Sequence, residues 1–161
     1  MNSGLFTSHN HIVTGLAPVA DAFSGTVYSD VVDLSEYHGL TFLVGWGVGA
    51  TGTLTLTVEA CDDIVPTNVT AVAFRSRRVA ATGTNDVPGA LTARTSAGFT
   101  TTAGSNQKYF LEVDPSAIAA TGYRYARLKS VEVVDSPILG YIDIILSDGR
   151  YPQATPNSAI D

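Results

Sequence analysis

From Thr53 to Ala60 the chain alternates polar and apolar residues without a break: Thr53-Leu54-Thr55-Leu56-Thr57-Val58-Glu59-Ala60. A period of two is the signature of a strand with one buried face. Leu54, Leu56, Val58 and Ala60 are expected toward a core, the threonines and Glu59 toward water. The preceding stretch repeats the pattern, with Leu40, Phe42, Val44, Trp46 and Val48 on one side and Thr41, Leu43, Gly45 and Gly47 on the other. The glycine-rich link from Gly47 to Gly52 joins the two runs, and this arrangement predicts a β-hairpin.

Strand signals begin at Thr26, where Val27, Ser29 and Val31 alternate with Tyr28, Asp30 and Val32; the turn Ser35-Glu36-Tyr37-His38-Gly39 follows. Further strands are expected over 69–79, 107–114, 123–134 and 138–146, making about eight. Residues 80–106, rich in Thr, Ala, Gly and Ser, read as long loops around one weak strand. Only Pro115 to Ala120, with Pro in the first turn, reads as helix. Residues 1–26 show little periodicity and read as an N-terminal arm, 27–152 as the folded domain and 153–161 as a C-terminal tail.

Many short strands with glycine-rich turns call for an all-β fold, a sandwich or barrel. Eight strands in two sheets fit a β-sandwich of the jelly-roll kind. An immunoglobulin-like order is the alternative, although its Cys…Trp…Cys pattern is missing.

The last strand is unusual. Ile138, Gly140, Ile142, Ile144 and Leu146 share one face, and Leu139, Tyr141, Asp143 and Ile145 share the other. A sandwich strand normally gives one face to water. A second apolar face implies cover, either by the N-terminal arm or by another subunit. On the second reading, Leu139, Tyr141 and Ile145, with Leu5 and Phe6 of the arm, are candidate subunit-interface residues.

Charge narrows the partners. The chain has 161 residues and a net charge of −6, which fits one domain and opposes a general nucleic-acid binder. No Lys or Arg precedes Arg75, whereas eight basic residues lie between Arg75 and Lys129. Arg75, Arg77 and Arg78 are the strongest local charge feature: a solvated strand end, or an anchor on an acidic protein surface. Charged residues make up only 15% of the chain, which suits protein contact. No signal peptide and no membrane span are expected, and synthesis in a cytoplasm is.

Candidate chemistry is thin. His9 and His11 flank Asn10, and His38 is the remaining histidine; a metal would need further ligands, so polar arm residues are the plainer reading. Glu59, Asp62, Asp63 and Asn68 offer oxygens to a calcium ion, but their spacing matches no defined loop and is ordinary turn chemistry. Cys61, the sole cysteine, is a nucleophile only if a His activates it. Tyr123, Tyr125 and Arg127 on one strand face would stack on sugars, or simply pack in the sheet. No nucleophile elbow, phosphate loop or dinucleotide fingerprint occurs. No cofactor and no catalysis are expected.

Four segments carry a resemblance: Val58-Glu59-Ala60-Cys61-Asp62-Asp63, Gly122-Tyr123-Arg124-Tyr125-Ala126-Arg127-Leu128-Lys129, Ser136-Pro137-Ile138-Leu139-Gly140 and Arg150-Tyr151-Pro152. Together they resemble the head-decoration, or cement, proteins of tailed bacteriophages, over residues 27–152. The resemblance implies a jelly roll that forms homotrimers, sits where major capsid subunits meet and stiffens the expanded shell at the virion surface. It brings no catalytic residue. The alternatives are a tail or head–tail joining component, and a carbohydrate-binding module using Tyr123 and Tyr125.

Overall fold

The computed structural model describes residues 5–49, 51–79, 87–135, 137–150 and 157–160. Expectations placed on Ser136, Tyr151, Pro152, residues 80–86 and most of the 153–161 tail lie outside them. The chain runs α1 (Phe6–His9), β1 (Asn10–Val19), β2 (Thr26–Tyr28), β3 (Val32–Asp33), β4 (Tyr37–Trp46), β5 (Thr53–Cys61) and β6 (Val69–Val72). It continues through β7 (Phe74–Val79), β8 (Thr92–Arg94), β9 (Phe99–Thr100), β10 (Lys108–Val113), α2 (Pro115–Ala119), β11 (Tyr125–Val134) and β12 (Gly140–Gly149).

The strands form two antiparallel sheets of a β-sandwich. The β12 sheet has the order β1-β12-β4-β10-β7-β8, and the β11 sheet β2-β11-β5-β6, with β3 paired to β11 and β9 to β5. Without the short β3 and β9 and the β7–β8 extension, eight strands remain. Numbered along the chain, they lie 1-8-3-6 in one sheet and 2-7-4-5 in the other. That interleaving is the jelly roll.

Three expectations are corrected. β4 and β5 do not form a hairpin: β4 pairs with β12 and β10, β5 with β11, β6 and β9. The glycine link carries the chain from one sheet to the other, so both apolar faces meet across the core instead of side by side. Val48, expected inward, lies beyond the end of β4 and is 79% exposed. Nor are the described residues 5–26 an arm: Asn10–Val19 form β1 against the edge of β12, and Val13, Ala22 and Phe23 enter the core. The strand evades a period-two reading because its register shifts between Thr14 and Leu16 and again before Val19.

The core takes Leu40, Phe42, Val44 and Trp46 from β4, Leu54, Leu56, Val58 and Ala60 from β5, and Ile142, Ile144 and Leu146 from β12. Each fully buried aliphatic side chain contributes about 1.5–3 kcal/mol. Trp46 stacks on Tyr109 with centroids 5.4 Å apart and meets Phe23 edge-on. A side chain at Gly140 would run into the Phe23 ring, so this strand start needs glycine. Buried Gln107 donates to the Thr102 carbonyl and accepts from the Tyr109 hydroxyl, which satisfies its amide. The short helix α2 forms where expected, with Asp114 capping the Ser116 N–H at 2.9 Å.

Candidate interaction face

Strand alternation turns one set of side chains outward on the β12 sheet, and the register aligns them in rows. Ile12, Ile145, Thr41, Glu112 and Arg75 make one row across β1, β12, β4, β10 and β7. Thr14, Asp143, Leu43, Phe110 and Arg77 make the next, and Tyr141, Gly45, Lys108 and Val79 a third. The Tyr141 ring lies across Gly45; a Cβ there would sit 2.5 Å from Cζ of Tyr141. Ile145, Tyr141, Leu43 and Phe110 are half-buried, while Ile12 and the neighbouring Leu139 are 48% and 57% exposed. β1 lies beside β12 and not over it, so this second apolar face keeps no intrachain strand across it among the described residues.

The charges on this face are divided. Asp143 stands among Thr14, Leu43, Tyr141 and Ile145, and no described cation is in ion-pair reach. Burial pushes its carboxyl above the ordinary carboxylate value. Across the sheet, Arg77 Nε lies 3.4 Å from Glu112, and Arg75 and Lys108 are exposed without an ion pair among the described residues. The three arginines of the sequence do not act as one patch. Arg75 and Arg77 share the outer face, whereas alternation sends Arg78 to the other side, opposite Tyr109.

The outer face of the β11 sheet is closed on itself. Glu59 is buried, with Oε2 2.8 Å from Arg127 and Oε1 3.7 Å from Lys129. The Arg127 guanidinium lies 4.0 Å above the Tyr28 ring. Glu59 therefore does not join Asp62 and Asp63 as an oxygen cluster. Asp62 accepts bonds from the backbone and side chains of Thr67 and Asn68, which hold its carboxyl well below the usual range and fix the turn. Cys61 is buried, and desolvation raises its thiol to about 11, far from a thiolate nucleophile.

Tyr123 precedes β11 and packs on the core, so it does not share a strand face with Tyr125 and Arg127. It lines an open cavity of about 400 Å³ with Asp62, Asp63, Arg124 and Tyr125. Arg124 lies 4.8 Å over the Tyr125 ring and occupies the face on which a sugar would stack. His11 Nδ1 is 2.8 Å from the Tyr37 hydroxyl. No described group of three or more His, Cys, Asp or Glu is placed to hold a metal, and no described helix is long and apolar enough to cross a membrane. Leu5 and Phe6 sit exposed at the start of α1, ahead of the first residue of β1.

Leu43, Phe110 and Ile12 belong to the outer face but were not singled out as site residues from sequence. The signal was present for Phe110, an apolar residue between Lys108 and Glu112 on the polar phase of its strand. Ile12 carried little, because the regular register around it lasts only from Asn10 to Thr14 before it shifts.

No protein-family model and no curated protein matches the chain. Among solved structures, SPBc2 prophage-derived protein YomS is similar over 86% of this chain and 93% of its own, at 13% identity and a TM-score of 0.45. The structure of infectious bursal disease virus Gx strain aligns over 85% of this chain and 40% of its own, at 11% identity and a TM-score of 0.25. At these identities and scores neither likeness carries a function to this chain.

Proposed function

We propose that this chain is a virion structural protein that decorates and stabilises an assembled phage capsid, with the outer face of the β12 sheet laid on the major capsid protein. The observation that carries the reading is the make-up of that face. Ile12, Leu43, Phe110, Tyr141 and Ile145 lie beside Arg75, Arg77 and Lys108 on a protein of net charge −6. An apolar strip with Asp143 within it, the Arg77–Glu112 pair beside it and Arg75 and Lys108 exposed at one side suits a protein surface of mixed apolar and charged character. The sequence resemblance to head-decoration proteins leads the same way. A ligand that binds only the assembled shell stabilises it by mass action. The homotrimer implied by the resemblance is not needed for this role.

Co-sedimentation with shells assembled from the major capsid protein of the same genome tests it. The wild type is expected to pellet with the shells. A variant carrying Ile145→Asp and Arg75→Glu is expected to stay in solution while remaining folded by circular dichroism. Undiminished pelleting of that variant, or no pelleting of the wild type, overturns the proposal.

A further inference from the structure

The four lateral edges of the sheets are unequal. β8, β2 and β6 span three, three and four residues, whereas β1 spans ten. Among the described residues no strand pairs with the far side of β1. Folded β-proteins shield long edges with charges, proline, bulges or brevity, because unpaired N–H and C=O groups accept a strand from another molecule. In β1 the Asn10 N–H already donates to the Phe6 carbonyl, and the other such devices fall in the second half. The register shifts lie there, Pro18 follows, and the Gly15 carbonyl accepts the Asp30 N–H at 2.8 Å. Asn10–Thr14 keeps a regular register against Ser147–Asp143 and carries no Asp, Glu, Lys or Arg.

We propose that Asn10–Thr14 pairs with the same segment of a second copy, antiparallel about a two-fold axis through Ile12, so that two β12 sheets become one. A two-fold interface uses the same patch on both partners, so the patch must complement itself. Here Ile12 faces Ile12, His11 faces Val13 and Asn10 faces Thr14, with no carboxylate or Lys/Arg opposed to its like. Copies of a protein with net charge −6 repel one another, and this neutral segment is where they can approach.

The exposed residues of α1 favour a second copy over an unrelated strand. Leu5 and Phe6 are 77% and 57% exposed. The stretch from Asn10 back to Phe6 covers about 6 Å at the helical rise, roughly two strand residues. Since Asn10 lies opposite Thr14 in the pair, the pairing brings α1 of each copy to the second half of the other's β1 and offers the exposed Leu5 and Phe6 a protein surface to cover. The pairing also sets two outer faces side by side. It goes beyond the decorating role and differs from the threefold assembly that the resemblance implies.

Light scattering on a sizing column, over a concentration series of the full chain, tests the pairing. The wild type is expected at twice 16.8 kDa. Ile12→Lys and Ile12→Glu are each expected at the monomer mass, because like charges would meet on the axis. Ile12 is 48% exposed, so both variants should fold, which circular dichroism checks. Mixed in equal amounts they are expected to recover the dimer mass. A wild-type monomer, trimer or larger ring overturns the proposal, and so does a dimer that survives Ile12→Lys. Two monomeric variants that stay monomeric when mixed overturn the Ile12-centred pairing. The variant carrying Ile145→Asp and Arg75→Glu, changed outside β1, is expected to keep the dimer mass while losing co-sedimentation with capsid shells, which separates this inference from the decorating role.

Discussion

On the outer side of the β11 sheet, Glu59 is buried between Arg127 and Lys129, and Tyr28 stacks beneath the guanidinium. On the outer side of the β12 sheet, Asp143 is half-buried among Leu43, Tyr141 and Ile145 with no described cation in reach. Both faces are built on antiparallel strands with a core behind them. The first supplies the partners its charge requires and needs no further molecule. The second leaves a desolvated carboxylate and an apolar strip, both of which gain from contact with something else. Within one sandwich, then, the completeness of local pairing separates a self-contained face from one that leaves a carboxylate without an ion pair among the described residues.

Ile144 and Ile145 are adjacent in β12 and point to opposite sides, so they test the distinction most sharply. Ile144 is fully buried, and Ile144→Ala is expected to cost about 2–5 kcal/mol in urea unfolding. Ile145→Asp is expected to cost clearly less than Ile144→Ala, leaving a folded protein, and to abolish assembly with capsid shells. Should Ile145→Asp destabilise as much as Ile144→Ala, the outer face is core and the comparison fails.

Next in size is the Glu59 network. Arg127→Ala strands a carboxylate whose side chain is 8% exposed, and breaking a buried pair costs about 3–5 kcal/mol. Lys129 remains beside Glu59, so about 2–3 kcal/mol is expected. On the other sheet, Arg77→Ala removes a half-exposed pair with Glu112 and is expected to cost under about 1 kcal/mol. Equal losses in the two denaturation curves would mean that both faces are equally self-contained.

How much of this was legible in the sequence differs by element. Leu54, Leu56, Val58 and Ala60 were assigned to the core from alternation alone, and all four are buried. Periodicity reports which side of a strand is wet and says nothing about which strand lies alongside. That is why β4 and β5 read as a hairpin although they belong to different sheets. β1 was missed because its bulges break the period from within. For the candidate site, the second apolar face of β12 was readable from Leu139, Tyr141 and Ile145. The role of Glu59 was not: its partner Arg127 lies 68 residues along the chain. The separation of Arg78 from Arg75 and Arg77 follows from strand period alone, once a strand is assigned there.

The smallest expected effect is a pair of pH dependences with opposite sign. Burial raises the Asp143 carboxyl, so the folded state holds that proton more tightly than the unfolded chain does. Stability then falls as pH rises through the window just above the unfolded value of about 3.9, and the penalty persists at neutral pH. Asp143→Asn is therefore expected to be more stable than wild type at pH 7, with the gap closing as pH drops below about 3.9. Asp62 behaves the other way. Hydrogen bonds from Thr67 and Asn68 depress its carboxyl, so its stabilisation is present above about 3.9 and is lost as pH falls toward the folded value. Asp62→Asn is expected to be less stable at pH 7, and this gap also narrows on acidification. Urea unfolding of both variants at pH 7, 5 and 3, each pH set about one unit or more from about 3.9, measures the two gaps together. If Asp143→Asn gains nothing at pH 7, that carboxylate is already adequately solvated. The outer face of the β12 sheet then lacks the unmet charge that sets it apart from the β11 sheet.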